Sequence, residues 1–164
     1  LGKAKIIQEG NDITIISMSY MTLETLRAAK LLQIEGISAE VIDLKTIKPL
    51  DDETILKSVA KTGRLLVVDM GHRTAGFSGE IIAKVAEESF NYLKSPPARI
   101  TLPDVPTPTS PALANYYYPT YVDIIKKVLQ IMSYTEHQIK CFLMKHNLFE
   151  SASDVPDKNF TGPF

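Results

Sequence analysis

Two stretches of this chain are apolar without alternation. Leu65 to Val68 reads Leu-Leu-Val-Val, the pattern of a strand covered on both faces. Ile13 to Ser17 is β-branched and apolar, and so is expected at the centre of a sheet. Further strands are predicted over residues 4–8, 38–44 and 98–102. Helical spacing fills the gaps between them. A helix capped by Thr22 runs to about Ile34, with Leu23, Leu26, Ala29, Leu32 and Ile34 at roughly helical intervals and Gly36 ending it. Asp51 or Asp52 opens a second helix, which carries Ile55, Leu56 and Val59 and stops at Gly63. Ser78 is the expected N-cap of a third, over residues 79–93, which buries Ile81, Ile82, Val85, Ala86 and Phe90 before Pro96 and Pro97 break it. Pro103, Pro106, Pro108 and Pro111 make a rigid connector that leads to a short helical piece carrying Leu113. A further helix over 121–132 buries Val122, Ile125, Val128 and Leu129.

Strands alternating with helices require crossover connections, hence an α/β fold with a mostly parallel sheet and helices on both faces. Only a tight turn, Gly10-Asn11-Asp12, separates the first two strands, so one of them is free to run antiparallel. Beyond residue 132 the pattern changes. Ser133 to Glu136 matches a capping box, and Ile139, Phe142, Leu143 and His146 share one face of a short helix. Residues 154–164 read as an irregular tail. The expected division is therefore residues 1–132 as one domain and 133–164 as a C-terminal extension.

A length of 164 residues suits one domain, and 45% hydrophobic residues suffice for a core. The net charge of −1 argues for no nucleic acid and no anionic membrane surface as partner. No apolar run approaches the ~20 residues of a membrane span. Cys141 is the one cysteine, so no internal disulfide and no Cys-x-x-Cys site is possible, in keeping with a cytoplasmic or organellar-matrix location. The opening Leu-Gly-Lys-Ala-Lys is not a signal peptide and reads as a cut within a longer protein.

Candidate chemistry concentrates after the Leu65–Val68 strand. Gly71, Gly76 and Gly79 form a glycine-containing loop that also carries His72 and Arg73, at the carboxyl end of a strand where α/β sheets meet ligands. The glycines do not fit Gly-x-Gly-x-x-Gly, and no phosphate-loop Lys-Ser or Lys-Thr follows. They read first as a tight turn with close helix packing, and second as an anion site at a helix start formed by His72, Arg73 and Gly76. Asp43 and Asp69 close two strands as turn caps or ligand-facing carboxylates. His137 and His146 have no metal-ligand spacing. Ser17, Ser19 and Ser78 lack a nucleophile-elbow context. No catalytic constellation is visible, so catalytic and metal residues are expected to be absent from this chain.

Several stretches in order carry a resemblance. They are Gly2-Lys-Ala-Lys-Ile-Ile-Gln-Glu-Gly10 with Asp12 and Thr14, Glu35-Gly36-Ile37, and Glu40-Val-Ile-Asp43-Leu-Lys-Thr-Ile-Lys-Pro49-Leu-Asp51. Lys61-Thr-Gly-Arg64-Leu-Leu-Val-Val-Asp69, Gly71-His-Arg-Thr with Gly76-Phe, Pro103-Asp104 and Ser110-Pro-Ala-Leu113 continue it. Together they resemble the transketolase C-terminal domain as it occurs in the beta subunits of 2-oxo acid dehydrogenase decarboxylase components, pyruvate and branched-chain members fitting better than transketolase. The resemblance implies a three-layer α/β/α sandwich with a mixed five-stranded sheet, one edge strand antiparallel. It also implies an enzyme that uses thiamine diphosphate and magnesium to decarboxylate a 2-oxo acid and pass the acyl group to lipoamide. The Gly-Asp-Gly motif that opens the diphosphate and magnesium site is not in this sequence, so the resemblance implies that cofactor-binding residues are absent from this chain too and that its role is assembly. The partners implied are the decarboxylase alpha subunit, a second beta subunit and the subunit-binding domain of the dihydrolipoyl acyltransferase. Met70 stands where the family usually has glutamate, and Ser19 and Ala75 replace common glycines. Lys94 occupies a position where many members carry an acidic residue that helps dock the acyltransferase. Two other readings stay open: a fragment of a transketolase or deoxyxylulose-phosphate synthase, and a stand-alone anion-binding regulatory module.

Overall fold

The computed structural model describes residues 1–148; the predicted 154–164 tail lies outside them. Five strands form one sheet in the order β1-β3-β2-β4-β5. They are β1 (Lys5–Gln8), β2 (Ile13–Ser17), β3 (Ala39–Asp43), β4 (Leu65–His72) and β5 (Ala98–Leu102). Six helices accompany them: α1 (Tyr20–Ile34), α2 (Asp52–Thr62), α3 (Phe77–Glu88), α4 (Pro111–Tyr117), α5 (Tyr121–Ile131) and α6 (Glu136–Lys145). β2, β3, β4 and β5 run parallel, and β1 pairs antiparallel with β3. The sheet is thus mixed, with one antiparallel edge. The tight turn does not make β1 and β2 a hairpin; the chain leaves β1 and enters the sheet two places away.

β2 and β3 are buried at every position, and the first five residues of β4 likewise. Their side chains sort by parity. Ile13, Ile15, Val41, Leu66 and Val68 face α1 and α5, where they meet Ala28, Leu32, Ile125, Val128 and Leu129. Ile16, Ile42, Leu65 and Val67 face α2 and α3, where they meet Ile55, Val59, Ile81 and Val85. Ile139 and Phe142 of α6, with Leu148 after it, join the first of these cores. Among the described residues no helix is long and apolar enough to cross a membrane.

Buried polar groups are largely paired across elements. Thr14 on β2 bonds Ser58 Oγ (2.7 Å) and Thr62 Oγ1 (2.8 Å) of α2. Glu24, buried on α1, accepts from Arg27 at 2.8 Å and from the Tyr121 N–H at 2.9 Å, placing a carboxylate at the start of α5. Asp51 caps α2 through the Thr54 N–H (3.4 Å) and takes the Ala4 N–H at 2.9 Å, so one side chain ties the start of β1 to α2. Its partly desolvated carboxyl still lies below the ordinary 3.8, because those N–H groups, the Thr54 hydroxyl and Lys3 outweigh burial.

Several local expectations change. α1 begins at Tyr20 after Ser19; Thr22 lies inside the helix, donating to Asp43 Oδ1 at 3.2 Å. Leu23 and Ile34 face outward, and Met21, Ala28, Ala29 and Leu32 form the buried stripe of α1. α3 starts after Gly76 and ends at Glu88; Ser78 is a buried first-turn residue rather than the cap. Ala86 is exposed on the outer face of α3, and Phe90 because the chain leaves α3 for a single 3-10 turn, Phe90–Tyr92. The capping box of α6 is Thr135 with Gln138, not Ser133 with Glu136; Ser133 takes a positive φ of 65°. Thr120 and Asp123 form a second box at α5.

Two of the departures from glycine leave a mark. Ser19 and Ala75 have φ of 53° and 57°, positive values that L-residues rarely adopt and that cost on the order of 1–3 kcal/mol each. Ala75→Gly is expected to stabilise the chain by about 0.5–1 kcal/mol, the relief being partly offset by glycine's unfolded-state entropy. Gly10→Ala is expected to act in the other direction. A Cβ there would sit 2.2 Å from the Ala39 carbonyl carbon and 2.3 Å from the Glu40 nitrogen, both backbone. A loss of about 1–3 kcal/mol or more follows from such overpacking. Urea midpoints at unchanged slope check both. The third expectation concerns pH. The Asp51 carboxyl is depressed, so its contribution is complete above its ordinary value and is lost as pH falls through the lower folded value. Asp51→Asn is expected to be less stable than wild type at neutral pH and to lose less stability on acidification below about pH 4. Parallel acid-unfolding curves for the two proteins would contradict it.

Candidate functional site

The sheet has its switch point between β2 and β4. From β2 the chain crosses through α1 to β3 on one side; from β3 it crosses through α2, over the other face, to β4. Ligands of α/β sheets enter at the carboxyl ends of strands beside such a point. The loop His72-Arg-Thr-Ala-Gly76 lies there, between β4 and α3.

The loop is fastened to β5 and the segment that follows it. His72 Nδ1 is 3.0 Å from the Pro103 carbonyl oxygen. Thr74 gives its N–H to Asp104 Oδ1 (3.0 Å) and its hydroxyl to Oδ2 (2.7 Å). Arg99 of β5 donates Nη1 to the Arg73 carbonyl at 3.0 Å. The Thr74 N–H and hydroxyl hold the exposed Asp104 carboxyl below its ordinary value, with His72 adding to the effect. Gly76 is fixed by close approach: a Cβ would fall 2.1 Å from the His72 carbonyl oxygen. The result is a rigid, exposed loop beside a shallow groove lined by Arg73, Thr74, Gly76, Phe77, Glu80 and Arg99. Two guanidinium groups and a helix start face that groove, and Glu80 supplies the opposing charge.

The strand-end carboxylates are committed within the chain. Asp43 holds Thr22 and Lys45. Asp69 accepts the Gly71 N–H at 2.9 Å, while its other oxygen is buried without a protein partner. Among the described residues no group of three His, Cys, Asp and Glu side chains could hold a metal ion.

Lys94 is not part of this loop. It follows the 3-10 turn at the opposite end of β4, where its stem lies against Gly63 and its Nζ donates to the Thr62 carbonyl at 3.2 Å. Its N–H bonds the Gly63 carbonyl at 2.7 Å. A cation thus sits on the C-terminus of α2, where the helix dipole favours it. With the length of β4 separating them, Lys94 and His72 stand roughly 25 Å apart along the strand. Arg99 and Asp104 are the loop residues that sequence reasoning missed. Asp104 was legible only as part of the Pro103-Asp104 stretch; Arg99, an isolated polar residue in a strand, carried no signal.

Comparison with known proteins gives the family. Residues 2–124 match the family described as transketolase, C-terminal domain. The pyruvate dehydrogenase E1 component subunit beta-1, mitochondrial, of Arabidopsis thaliana is 48% identical over 126 residues, covering 77% of this chain and 35% of that protein. The pyruvate dehydrogenase E1 component subunit beta of Rickettsia bellii is 43% identical over 130 residues, 79% of this chain and 40% of that one. Among solved structures, a split gene transketolase described as an inactive beta4 tetramer superposes with a TM-score of 0.71 at 29% identity. That match covers 80% of this chain and 43% of the other. The chain thus spans about two-fifths or less of the length of these curated relatives. With the sheet order, the antiparallel edge and the sequence match in agreement, the chain belongs to the transketolase C-terminal domain family.

Proposed function

We propose that this chain is the C-terminal assembly and docking domain of a thiamine-diphosphate-dependent 2-oxo acid dehydrogenase decarboxylase component. The observation that carries the reading is the 48% identity with a pyruvate dehydrogenase E1 beta subunit, against 29% with the split gene transketolase. Oxidative decarboxylation of pyruvate, with acyl transfer to lipoamide, is then the activity of the whole enzyme, and this chain supplies contacts rather than catalytic groups. Thiamine diphosphate and magnesium belong to other domains of that enzyme. Residues 1–132 are the family domain and 133–164 an extension whose helix α6 packs on it. A cytoplasmic or organellar-matrix home goes with the relatives, those from Arabidopsis thaliana and Saccharomyces cerevisiae being named mitochondrial.

The surface supports a role in assembly. Phe90 and Tyr92 on the 3-10 turn and Leu113 and Tyr116 on α4 are more than half exposed. Large apolar side chains left bare in this way mark surfaces that other chains cover. The partners are the decarboxylase alpha subunit, a second beta subunit and the acyltransferase's subunit-binding domain. Lys94 faces the last of these with a cation, so the matching contact on the acyltransferase is acidic. The rigid His72, Arg73 and Gly76 loop is an interface element on this reading, its arginine directed to a partner's carboxylate.

An antibody raised against this chain tests the proposal on the natural protein. Blotting source-cell extract is expected to give a band near ~35–40 kDa, two domains' worth. The captured protein is expected to bring down a decarboxylase alpha subunit and to oxidise pyruvate with a dye acceptor when thiamine diphosphate and magnesium are supplied. A band at 18.2 kDa, the mass of this chain, would overturn the proposal. Captured material active on sugar phosphates instead would favour the transketolase-type alternative.

A further inference from the structure

α6 lies beyond the residues that match the family, and its two faces differ. Ile139 and Phe142 are buried in the core. On the opposite face the sequence reads His137-x-x-x-Cys141-x-x-Met144, and all three residues are exposed. At 100° per residue they fall within one narrow stripe, four and then three residues apart, which are the spacings at which helix side chains meet. One imidazole, one thiol and one thioether therefore share a single solvent-facing stripe, and Met144 is 64% exposed although most methionines seek the core.

The spacing of the first two donors is that of a chelate. His137 Nε2 lies 3.6 Å from Cys141 Sγ. A metal bound to a thiolate at about 2.3 Å and an imidazole at about 2.0 Å, with an angle near tetrahedral, holds its two donors about 3.6 Å apart. The pair, joined by a weak thiol–imidazole hydrogen bond, already has this separation, and Met144, three residues on along the helix, offers a third soft donor. Thiolate and thioether select monovalent copper, whereas magnesium and calcium need oxygen ligands. Charge points the same way. Lys140 and Lys145 flank the stripe, which penalises a dication more than a monocation whose charge the thiolate cancels. Lys145 is further occupied by Glu35 at 2.7 Å on the side nearer α1.

We propose that His137, Cys141 and Met144 form a surface site for monovalent copper on α6. Binding replaces the thiol proton, which passes to solvent, and needs no change in the fold.

The test is anaerobic titration of the 164-residue chain with Cu(I) against a chromophoric Cu(I) chelator, with a phosphine reductant keeping Cys141 free. One copper per chain is expected. Each of Cys141→Ser and His137→Ala is expected to weaken binding at least about tenfold, since even outer-shell partners of metal ligands are worth 10–100-fold. Met144→Leu is expected to weaken Cu(I) binding while leaving the weaker Zn(II) binding unchanged. All three positions are exposed, so unchanged far-UV dichroism is expected in every variant. Failure to retain Cu(I) against the chelator, or equal affinity in wild type and Cys141→Ser, would overturn the site. Equal loss of Zn(II) and Cu(I) binding in Met144→Leu would overturn the choice of monovalent copper.

Discussion

Burial of β2 on both faces is the constraint from which the architecture follows. All five residues from Ile13 to Ser17 are out of solvent, with β3 and β4 hydrogen-bonded on either edge. A strand in that position loses water on every side at once. It is stable only if two helical layers close over it and every polar group on it finds a partner. The first condition gives the pair α1 and α5 on one face and α2 and α3 on the other. The second gives Thr14, the one polar side chain in the middle of the strand, which reaches two hydroxyls of α2. Those bonds fix the position of α2 over β2 in a way that apolar contact alone, being non-directional, does not.

The same logic governs the edges of the layers. Glu24 and Glu40 are almost fully buried carboxylates, and each joins elements far apart in sequence. Glu24 on α1 holds the first N–H of α5. Glu40 on β3 holds Lys61 of α2 and lies 3.4 Å from the Gly10 N–H. Removing one partner from such a pair leaves an uncompensated charge, which costs more than the pair contributes. These residues act as registration points for crossovers whose lengths would otherwise leave the helices free to slide.

The layered core was legible because strand burial writes itself as uninterrupted apolar runs. Two kinds of feature were not legible. Pairing partners were hidden: the turn at Gly10 suggests a hairpin, but Gly10 packs with no room for a Cβ against the backbone of β3, and β1 goes to the sheet edge with it. Helix boundaries also moved where polar residues are buried. Thr22 and Ser78 look like caps because hydroxyls usually stand at helix starts, yet both sit in first turns that face the protein. Phe90 looked like core because periodicity continues through it; the chain turns out of α3 just before it. Of the candidate site, the loop was legible from its glycines and its place after a buried strand. Its fastening by Arg99 and Asp104 comes from β5 and the loop after it, a tertiary fact with no local signature. Lys94 could be singled out by position but not by use, since its bond to the Thr62 carbonyl depends on where the 3-10 turn brings it.

How the polar groups are spent bears on function. An α/β domain that binds a ligand at its switch point usually keeps carboxylates or backbone donors there uncommitted. In this chain Asp43, Asp51 and Asp104 are all engaged by neighbouring residues, and Asp69 keeps one free oxygen, buried among Ile16, Met18, Leu44 and Phe77. Little polar capacity faces outward at the strand ends. Large apolar and cationic side chains do face outward, among them Phe90, Tyr92, Leu113, Tyr116, Arg73 and Lys94. Aromatic area and charge-assisted contacts are what protein–protein interfaces use, and their geometry depends on a stiff support. The β4–α3 loop is held by Arg99, Pro103 and Asp104 of β5 and the segment after it, and Lys94 by the backbone carbonyls of Thr62 and Gly63. Rigidity of this kind lowers the ordering cost of any association the loop enters.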